Sequence, residues 1–233
     1  MVLLYEGKAK QVYSGDSPDE VLIKFKDQVT ALNGVKKDNI NGKGRVNLAF
    51  TRHFFSILNN FIDTHVILFV DEVSFKAKSV KIIPLEVVVR NYAAGSVCKR
   101  LGYQKGIKFQ EPLVEFFLKD DDLGDPLMSE EEIFEQNLIS LNELEVLKKY
   151  ALIVNNVLSI EAEKNGLILV DFKLEFGKDS IGKILLADEI SPDTCRFWDK
   201  NTMESLDKDV YREDKADLLD TYTKLANRLG VKL

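Results

Sequence analysis

Apolar and polar residues alternate over short runs in the N-terminal part of the chain, which is the pattern of strands with one buried face. Turn-forming residues separate these runs, and the runs predict six strands, at 3–5, 9–13, 21–25, 66–70, 73–78 and 82–90. Between them, apolar residues at helical spacing predict a helix over 46–61. The segment 27–44 is rich in Asn, Gly and Lys and has no period, so it is predicted to be a long loop.

Helical spacing dominates the second half of the chain. Two pairs of residues have the spacing of a capping box at a helix start, Ser129 with Glu132 and Ser140 with Glu143. Helices with one apolar face are predicted after the second pair and at the C-terminus. Strands early and helices late predict an α+β fold with two lobes, a sheet-rich lobe over 1–83 and a mixed α/β lobe over 84–233.

Composition narrows the class of protein. Of the 233 residues, 45% are apolar and 30% charged, which excludes a disordered chain. The net charge of −6 argues against a broad nucleic-acid-binding face. Two cysteines make no disulfide framework, the N-terminus lacks the apolar core of a signal peptide, and polar residues interrupt the most apolar stretch. We therefore expect a cytoplasmic protein that binds neither nucleic acid nor membrane.

The most informative segment is LVDFKLEFG at 169–177. A buried strand is predicted to begin just before it, and in its continuation Asp171, Lys173 and Glu175 fall on one face while apolar residues fall on the other. Charges next to a buried strand are costly unless they pair, bind an ion or border a cleft. The alternative is a half-exposed strand with a solvated charged face, and spacing alone does not decide between the two.

The following segment, 178–188, predicts a turn and a returning strand. A hairpin closed near residue 180 would place Asp188 opposite 171–173 and within diagonal reach of Glu175. Two carboxylates brought together repel each other unless a cation lies between them. Because Mg²⁺ is held by one or two carboxylates together with phosphates and water, Glu175 and Asp188 are candidate Mg²⁺ ligands.

A segment near the N-terminus, YEGKAKQVY at 5–13, suits a polyphosphate. Gly7 allows the backbone to approach a ligand closely. Lys8 and Lys10 are two positions apart, so on a strand their ammonium groups would share one face. The alternative is an exposed hairpin with solvated lysines.

A third segment, PLEVVVRNYAAGS at 84–96, suits a phosphate monoester. Arg90 is predicted to leave a strand shortly before Ser96, the expected N-cap of a helix, and an arginine beside a helix start can bind an anion. The turn-rich run after Asp188 ends at Arg196, which could close such a site. The alternatives are a capped helix with one surface arginine and an ordinary surface turn.

Other features favour no particular chemistry. The chain has no nucleophile elbow, no zinc-protease helix motif and no complete Walker A motif, so hydrolase, metalloprotease and P-loop functions lack support. The charged loop from Lys119 to Asp125 is a solvated surface unless it borders a cleft.

In order along the chain, YEGKAK, PLEVVVRNYAAGS and LVDFKLEFG followed by ADEISPDTCR resemble the motifs of the SAICAR synthetase (phosphoribosylaminoimidazole-succinocarboxamide synthase) family. The resemblance extends from Tyr5 to the C-terminal helix. It implies a two-lobed fold similar to ATP-grasp and kinase-like proteins, with ATP held between the lobes. It also implies an ATP-dependent ligase of purine biosynthesis that joins carboxyaminoimidazole ribotide (CAIR) to L-aspartate and forms ADP and phosphate.

The resemblance also implies roles for the matching residues, with the nucleotide in the N-terminal lobe and the metal and substrate residues in the other. The implied roles are ATP binding by Lys8, Lys10 and Glu86; Mg²⁺ binding by Glu175 and Asp188; substrate binding by Arg90, Ser96, Asp121, Asp193 and Arg196; and contact with the reacting groups by Asp171, Lys173 and Lys119. A homo-oligomer, with a dimer expected, is implied as well.

Two positions depart from the family pattern. Asn33 stands where members often have Asp, and Cys195 stands where they usually have Ser. Both affect local hydrogen bonds near substrate, and Cys195 could add sensitivity to oxidation. Two other functions stay open at this point: a kinase-like phosphotransferase acting on a small hydroxyl substrate, and a nucleotide-binding protein without catalysis.

Overall fold

Two antiparallel sheets form the frame of the structure, a computed structural model that describes residues 1–31 and 36–233. The strands of the first sheet are β1 (Leu3–Glu6), β2 (Lys10–Ser14), β3 (Glu20–Phe25), β6 (Val66–Phe69) and β7 (Ser74–Lys78). They lie in the order β1-β2-β3-β7-β6. All five coincide with predicted strands, and their ends differ from the prediction by about one residue.

The second sheet contains the central strands of the molecule. Its strands are β8 (Lys81–Tyr92), β9 (Lys108–Leu118), β10 (Leu127–Met128), β11 (Leu167–Lys178), β12 (Ile184–Ala187) and β13 (Cys195–Asp199). They lie in the order β10-β9-β8-β11-β12, and β13 also pairs with β11. The sequence pattern does not predict β9, because Pro112 and two glutamates interrupt its alternation.

Helix α1 (Lys43–Leu58) connects the cores beneath the two sheets. It buries Leu48 beside Phe25 of the first sheet, whereas Phe50 and Phe54 belong to the main core under the second sheet. Burying an apolar side chain of this size contributes roughly 1.5–3 kcal/mol. The helix therefore packs the two parts of the chain together, and the division into lobes near residue 83 stays a prediction.

The segment 27–44 is not the loop that the sequence predicts. It contains a hairpin of β4 (Gln28–Ala31) and β5 (Lys36–Asn39), and α1 begins at its end. The prediction was wrong because β5 reads Lys-Lys-Asp-Asn and buries none of its side chains fully, so no hydropathy period marks it. Asn33 lies outside the described residues.

The remaining helices are α2 (Ser96–Leu101), α3 (Glu130–Glu135), α4 (Leu141–Lys164), α5 (Asp209–Arg212) and α6 (Leu218–Leu229). Both predicted capping boxes are present, at the starts of α3 and α4. The predicted N-cap at Ser96 is wrong, because Gly95 occupies that position with a φ of 63° and Ser96 is the first residue of α2. In the described part of the chain, no helix is both long and apolar enough to cross a membrane. The architecture is α+β, as predicted.

Candidate active site

A cleft of about 670 Å³ opens between the two sheets. The β1–β2 turn and the β4–β5 hairpin border one side, and β8, β11 and the segment after β12 border the other. Most of the predicted site residues line it, namely Lys8, Lys10, Glu86, Lys119, Asp121, Lys173, Glu175, Asp188 and Asp193. The remaining four, Arg90, Ser96, Asp171 and Arg196, form a second cluster farther along β11.

Strand β11 presents Asp171, Lys173 and Glu175 on one face, as the alternation predicts. Pairing with β8 sets Asp171 opposite Arg90 and Glu175 opposite Glu86, so both strands direct charged side chains to this face. Only 3% of Asp171 and 5% of Glu175 is exposed. The alternative of a solvated charged face is therefore wrong, and a cation must compensate each buried carboxylate.

Lysines compensate the carboxylates at the cleft end of β11. Lys173 Nζ lies 2.8 Å from Glu86 and 2.7 Å from Glu175, and Lys119 Nζ lies 2.8 Å from Glu175. Burial disfavours the charged form of Lys173, but Glu175 and Glu86 outweigh it and hold the pKa of Lys173 well above its ordinary value. The same balance of burial against opposite charge raises the pKa of Lys119 and lowers that of Glu175. These groups stay charged at neutral pH.

Asp188 reaches the cleft through a left-handed backbone conformation. The predicted position of Asp188 opposite 171–173 is wrong, because the hairpin pairs Glu175 with Ala187. Strand β12 ends at Ala187, and Asp188 has a φ of 59°, which interrupts the alternation of the strand. Burial opposes ionisation of Asp188, but Lys10 outweighs it and holds the pKa of this carboxyl below its ordinary range.

The two lysines of the β1–β2 turn border the cleft in different ways. They do not share a strand face, because Lys8 lies in the turn and only Lys10 belongs to β2. Lys10 Nζ contacts Asp188 and lies 2.6 Å from Glu189, and these carboxylates outweigh burial and raise the pKa of Lys10. Lys8 Nζ lies 2.6 Å from Asp121, and both side chains are exposed. Lys10 and its two carboxylates are therefore part of the cleft floor, and the pair of Lys8 with Asp121 bridges the cleft rim.

Glu175 and Asp188, the predicted Mg²⁺ ligands, both line the cleft. Burial and the charge of Asp188 act to raise the pKa of Glu175, and Lys173 and Lys119 outweigh them. Within residues 1–31 and 36–233, no group of three or more His, Cys, Asp or Glu side chains is arranged to hold a metal. Two carboxylates fit Mg²⁺ when phosphate oxygens and water complete its shell, so the donor set suits a metal bound together with a nucleotide.

The second cluster surrounds Asp171. Arg90 Nη1 donates to Asp171 at 2.7 Å, and Arg196 Nη1 donates to both oxygens of Asp171 at 2.9 Å. Arg90 Nη2 donates to Ser96 Oγ at 3.0 Å. Arg90 was predicted to leave the strand, and this is wrong, because β8 continues to Tyr92. The side chains of Arg90, Ser96 and Arg196 nevertheless meet in one place.

Asp193 joins three parts of the chain. Its carboxylate lies 2.5 Å from Lys43 Nζ and accepts hydrogen bonds from Tyr222 at 2.6 Å and Asn47 at 3.0 Å. Burial opposes ionisation of Asp193, but Lys43 outweighs it and lowers the pKa of this carboxyl. These contacts anchor the segment after β12 to α1 and α6, and a role of Asp193 in substrate binding stays a prediction.

Sequence reasoning does not single out two residues of this region. Lys43 is fully buried and lies in the segment predicted to be a loop, where nothing marked it. Glu189 is 4% exposed, holds Lys10 and accepts a hydrogen bond from Ser191 Oγ at 2.5 Å. Its position directly after Asp188 was the one available signal.

Cys195 is buried, with 2% of its surface exposed. Burial raises the pKa of its thiol, and oxidants react with the thiolate. The structure therefore gives no support to the expected sensitivity to oxidation.

Comparison with known proteins agrees with this geometry. A family model described as SAICAR synthetase matches residues 3–229. A phosphoribosylaminoimidazole-succinocarboxamide synthase from Staphylococcus aureus (strain JH9) is 52% identical over 230 residues, which cover 98% of each chain.

Two solved structures match nearly the whole fold. The phosphoribosylaminoimidazole-succinocarboxamide synthase from Ehrlichia chaffeensis gives a TM-score of 0.95 at 40% identity and covers 99% of each chain. A SAICAR synthetase (Type-2) in complex with ADP gives a TM-score of 0.94 at 46% identity, over 97% of this chain and 96% of the other. The chain thus belongs to the SAICAR synthetase family, the carbon–nitrogen ligases of purine biosynthesis.

Proposed function

We propose that this protein condenses CAIR with L-aspartate at the expense of ATP and forms SAICAR, ADP and phosphate through an acyl phosphate. Family membership establishes the ligase role, and the relative solved in complex with ADP supports ATP as the phosphate donor. The observation that supports the proposal best is the pairing of two sites along β11. A lysine-lined cleft with two carboxylates suits a metal-bound polyphosphate, and the arginine cluster beside it suits a phosphate monoester.

Lys8 and Lys10 would bind the ATP phosphates. In the structure each of them pairs with a carboxylate across the cleft, Asp121 or Asp188. Phosphate oxygens would replace these partners, and Glu189 would still compensate Lys10. Glu86 near the adenine is the part of the assignment that the geometry supports least, because its carboxylate is engaged by Lys173.

Glu175 and Asp188 would hold Mg²⁺, which supplies neutralisation of phosphate charge when it is bound. Lys10, Lys119 and Lys173 have raised pKa values and keep their protons at neutral pH. They would therefore act as permanently charged groups that stabilise developing negative charge, and not as bases.

The acyl phosphate follows from the chemistry of the substrate. A free carboxylate is a poor acyl donor because its leaving group would be oxide. A CAIR carboxylate oxygen attacks the γ-phosphorus of ATP, the bond from that phosphorus to ADP breaks, and ADP leaves with the electron pair. The amine of aspartate then attacks the carbonyl carbon, phosphate leaves, and the amine proton is lost to water. Positioning and charge neutralisation by Lys119 and Lys173 would supply most of the rate.

Arg90, Ser96 and Arg196 would hold the phosphate of the ribotide. Asp171 lies between the two arginines and is hydrogen-bonded to both, so it would fix their geometry next to the reacting carboxylate. We further propose, on the family resemblance alone, that the protein is a cytoplasmic homodimer.

The decisive experiment measures ADP release from ATP and Mg²⁺ with CAIR, with and without L-aspartate, and records the product mass. ADP that forms only with both substrates, together with the succinocarboxamide product, is the expected result. ADP without an amide product would instead identify the kinase-like phosphotransferase. Nucleotide binding without turnover under any combination would identify a binding protein and overturn the proposal.

A further inference from the structure

The two arginines of the second cluster are held in matching ways. In each guanidinium Nη1 donates to the shared carboxylate of Asp171. In each, Nε donates to another carboxylate, from Arg90 to Glu115 at 2.7 Å and from Arg196 to Asp209 at 2.9 Å. Glu115 on β9 and Asp209 at the start of α5 are 7% and 5% exposed. Neither residue lies in the segments that resemble the family motifs.

This arrangement leaves the same nitrogen, Nη2, available in both arginines. Across residues 1–31 and 36–233, neither Nη2 donates a hydrogen bond to a carboxylate. Arg90 Nη2 donates to Ser96 Oγ at 3.0 Å, and Arg196 Nη2 lies so close to Gly95 that a Cβ atom there would be 2.8 Å away. Gly95 and Ser96 are adjacent, so both Nη2 groups lie at one corner of the structure, and neither is held there by a carboxylate.

We propose that Glu115 and Asp209 are positioning residues for the ribotide phosphate, because they fix both guanidinium groups with Nη2 turned to the corner at Gly95 and Ser96. This inference rests on the proposed function. A guanidinium gives directed donors only when the plane of its fork is fixed. Two carboxylates on each arginine fix that plane before the substrate arrives, so less conformational freedom is lost on binding.

The charges of the network suit an incoming anion. Glu115 also pairs with Arg100, and Asp209 lies 2.6 Å from Arg212. Four arginines thus alternate with three carboxylates along this chain of ion pairs. Asp207, whose pKa is raised to about 7 by burial, is a further acidic group near Arg196. Each of the three carboxylates contacts an arginine on two sides, so a phosphate meets arginines whose acidic partners are already engaged.

The test compares CAIR with its riboside, which lacks the phosphate group. Glu115→Gln and Asp209→Asn keep the shape of each side chain and remove its charge. We expect either change to raise the KM for CAIR about tenfold while kcat and the KM for ATP change less than about twofold. The kcat/KM ratio of ribotide to riboside should fall about tenfold as well. Glu130→Gln is the matched control, because it breaks an ion pair of 2.6 Å between Glu130 on α3 and Lys148 on α4. It should change none of these values.

A structural defect has a different signature, because it would weaken the reaction of ribotide and riboside alike. That result, or an unchanged KM for CAIR, would overturn the proposal. Gly95→Ala provides a test that removes no charged group, because its Cβ would shift the Arg196 guanidinium while every carboxylate stays. The φ of 63° at Gly95 adds backbone strain to this variant, so the ratio of ribotide to riboside is the readout and not the overall rate. It should lower the same ratio even if the charge variants do not fold. A wild-type protein that forms no amide product would refute the proposed function first, and the positioning role with it.

Discussion

The two ends of β11 meet the same electrostatic problem with different cations. At the cleft end lysines compensate Glu175, and at the other end arginines compensate Asp171. A lysine is a point charge on a flexible stem, whereas an arginine is a planar fork with several directed donors. Lysine pairs can therefore exchange a carboxylate for a phosphate at little geometric cost, but arginine pairs lose several aligned hydrogen bonds if one partner moves.

This difference fits the two ligands of the proposed reaction. ATP changes during turnover, because its terminal phosphate is transferred, so its site must follow a moving group. The phosphate of the ribotide takes no part in the chemistry and serves as a handle. A fixed fork suits a handle, and exchangeable lysines suit a reacting polyphosphate.

The largest expected effect comes from Glu175→Gln at the cleft end. Removing this charge leaves Lys119 and Lys173 without their shared partner and removes a proposed Mg²⁺ ligand. We expect kcat to fall about a thousandfold, with the fold intact. Steady-state ADP release and Mg²⁺-dependent binding of ADP measure the effect, and circular dichroism checks the fold. Full activity in this variant would sink the metal assignment.

Exchanging the type of cation tests the arginine end. Arg196→Lys keeps the charge but cannot contact Asp171 and Asp209 together while it faces Gly95. We expect the KM for CAIR to rise roughly 10- to 100-fold, because charge-assisted hydrogen bonds are lost, with a smaller change in the KM for ATP. Initial rates over a range of CAIR concentrations give both constants. A normal KM for CAIR would show that charge alone suffices and would remove the contrast between the two ends.

Acid should lower the free energy of unfolding through His65 at the cleft end. This side chain is buried against Phe55 and Phe75 near Asp188. Burial lowers the pKa of His65 to about 4, so the unfolded chain binds its proton first as the pH falls below 6.5. The contribution of His65 to the free energy of unfolding is therefore present above pH 6.5 and lost towards pH 4, by up to about 3 kcal/mol. Urea unfolding of His65→Leu at several pH values should give a flatter acid dependence than the wild type. Parallel curves for the two proteins would contradict this assignment.

The smallest expected effect is that of Lys8→Arg. Lys8 and Asp121 form an exposed pair at the rim, and exposed ion pairs contribute less than about 1 kcal/mol. If point charge is what matters there, the KM for ATP should change less than about threefold, as initial rates would show. A loss as large as that of Arg196→Lys would mean that lysine and arginine are equally specific at both ends.

The parts of the fold that could be predicted have a side-chain pattern of their own. The strands of the first sheet and the capping boxes at Ser129 and Ser140 are confirmed because their signals lie within a few residues of sequence. The β4–β5 hairpin escaped prediction because its stability comes from backbone pairing and from contacts made elsewhere in the chain. Lys36, for example, donates to the carbonyl of Tyr211, at 2.6 Å.

The site divides in the same way. Alternation along β11 was enough to put Asp171, Lys173 and Glu175 on one face, and the quoted motifs were enough to indicate the SAICAR synthetase family. Alternation could not place Asp188, because a single left-handed residue at the end of β12 changes the direction of its side chain. It also gave no sign of Glu115 or Asp209.

By itself, the sequence determined the α+β class, the charged face of β11 and the family, because each depends on local periodicity or on contiguous motifs. The tertiary structure alone decided which cation meets which carboxylate. Glu115 reaches Arg90 across 25 positions and Arg196 reaches Asp171 across 25, while Lys10 reaches Asp188 across 178. Such pairs depend on strand register and on packing between distant segments, and a one-residue change of register turns a side chain to the other face of the sheet.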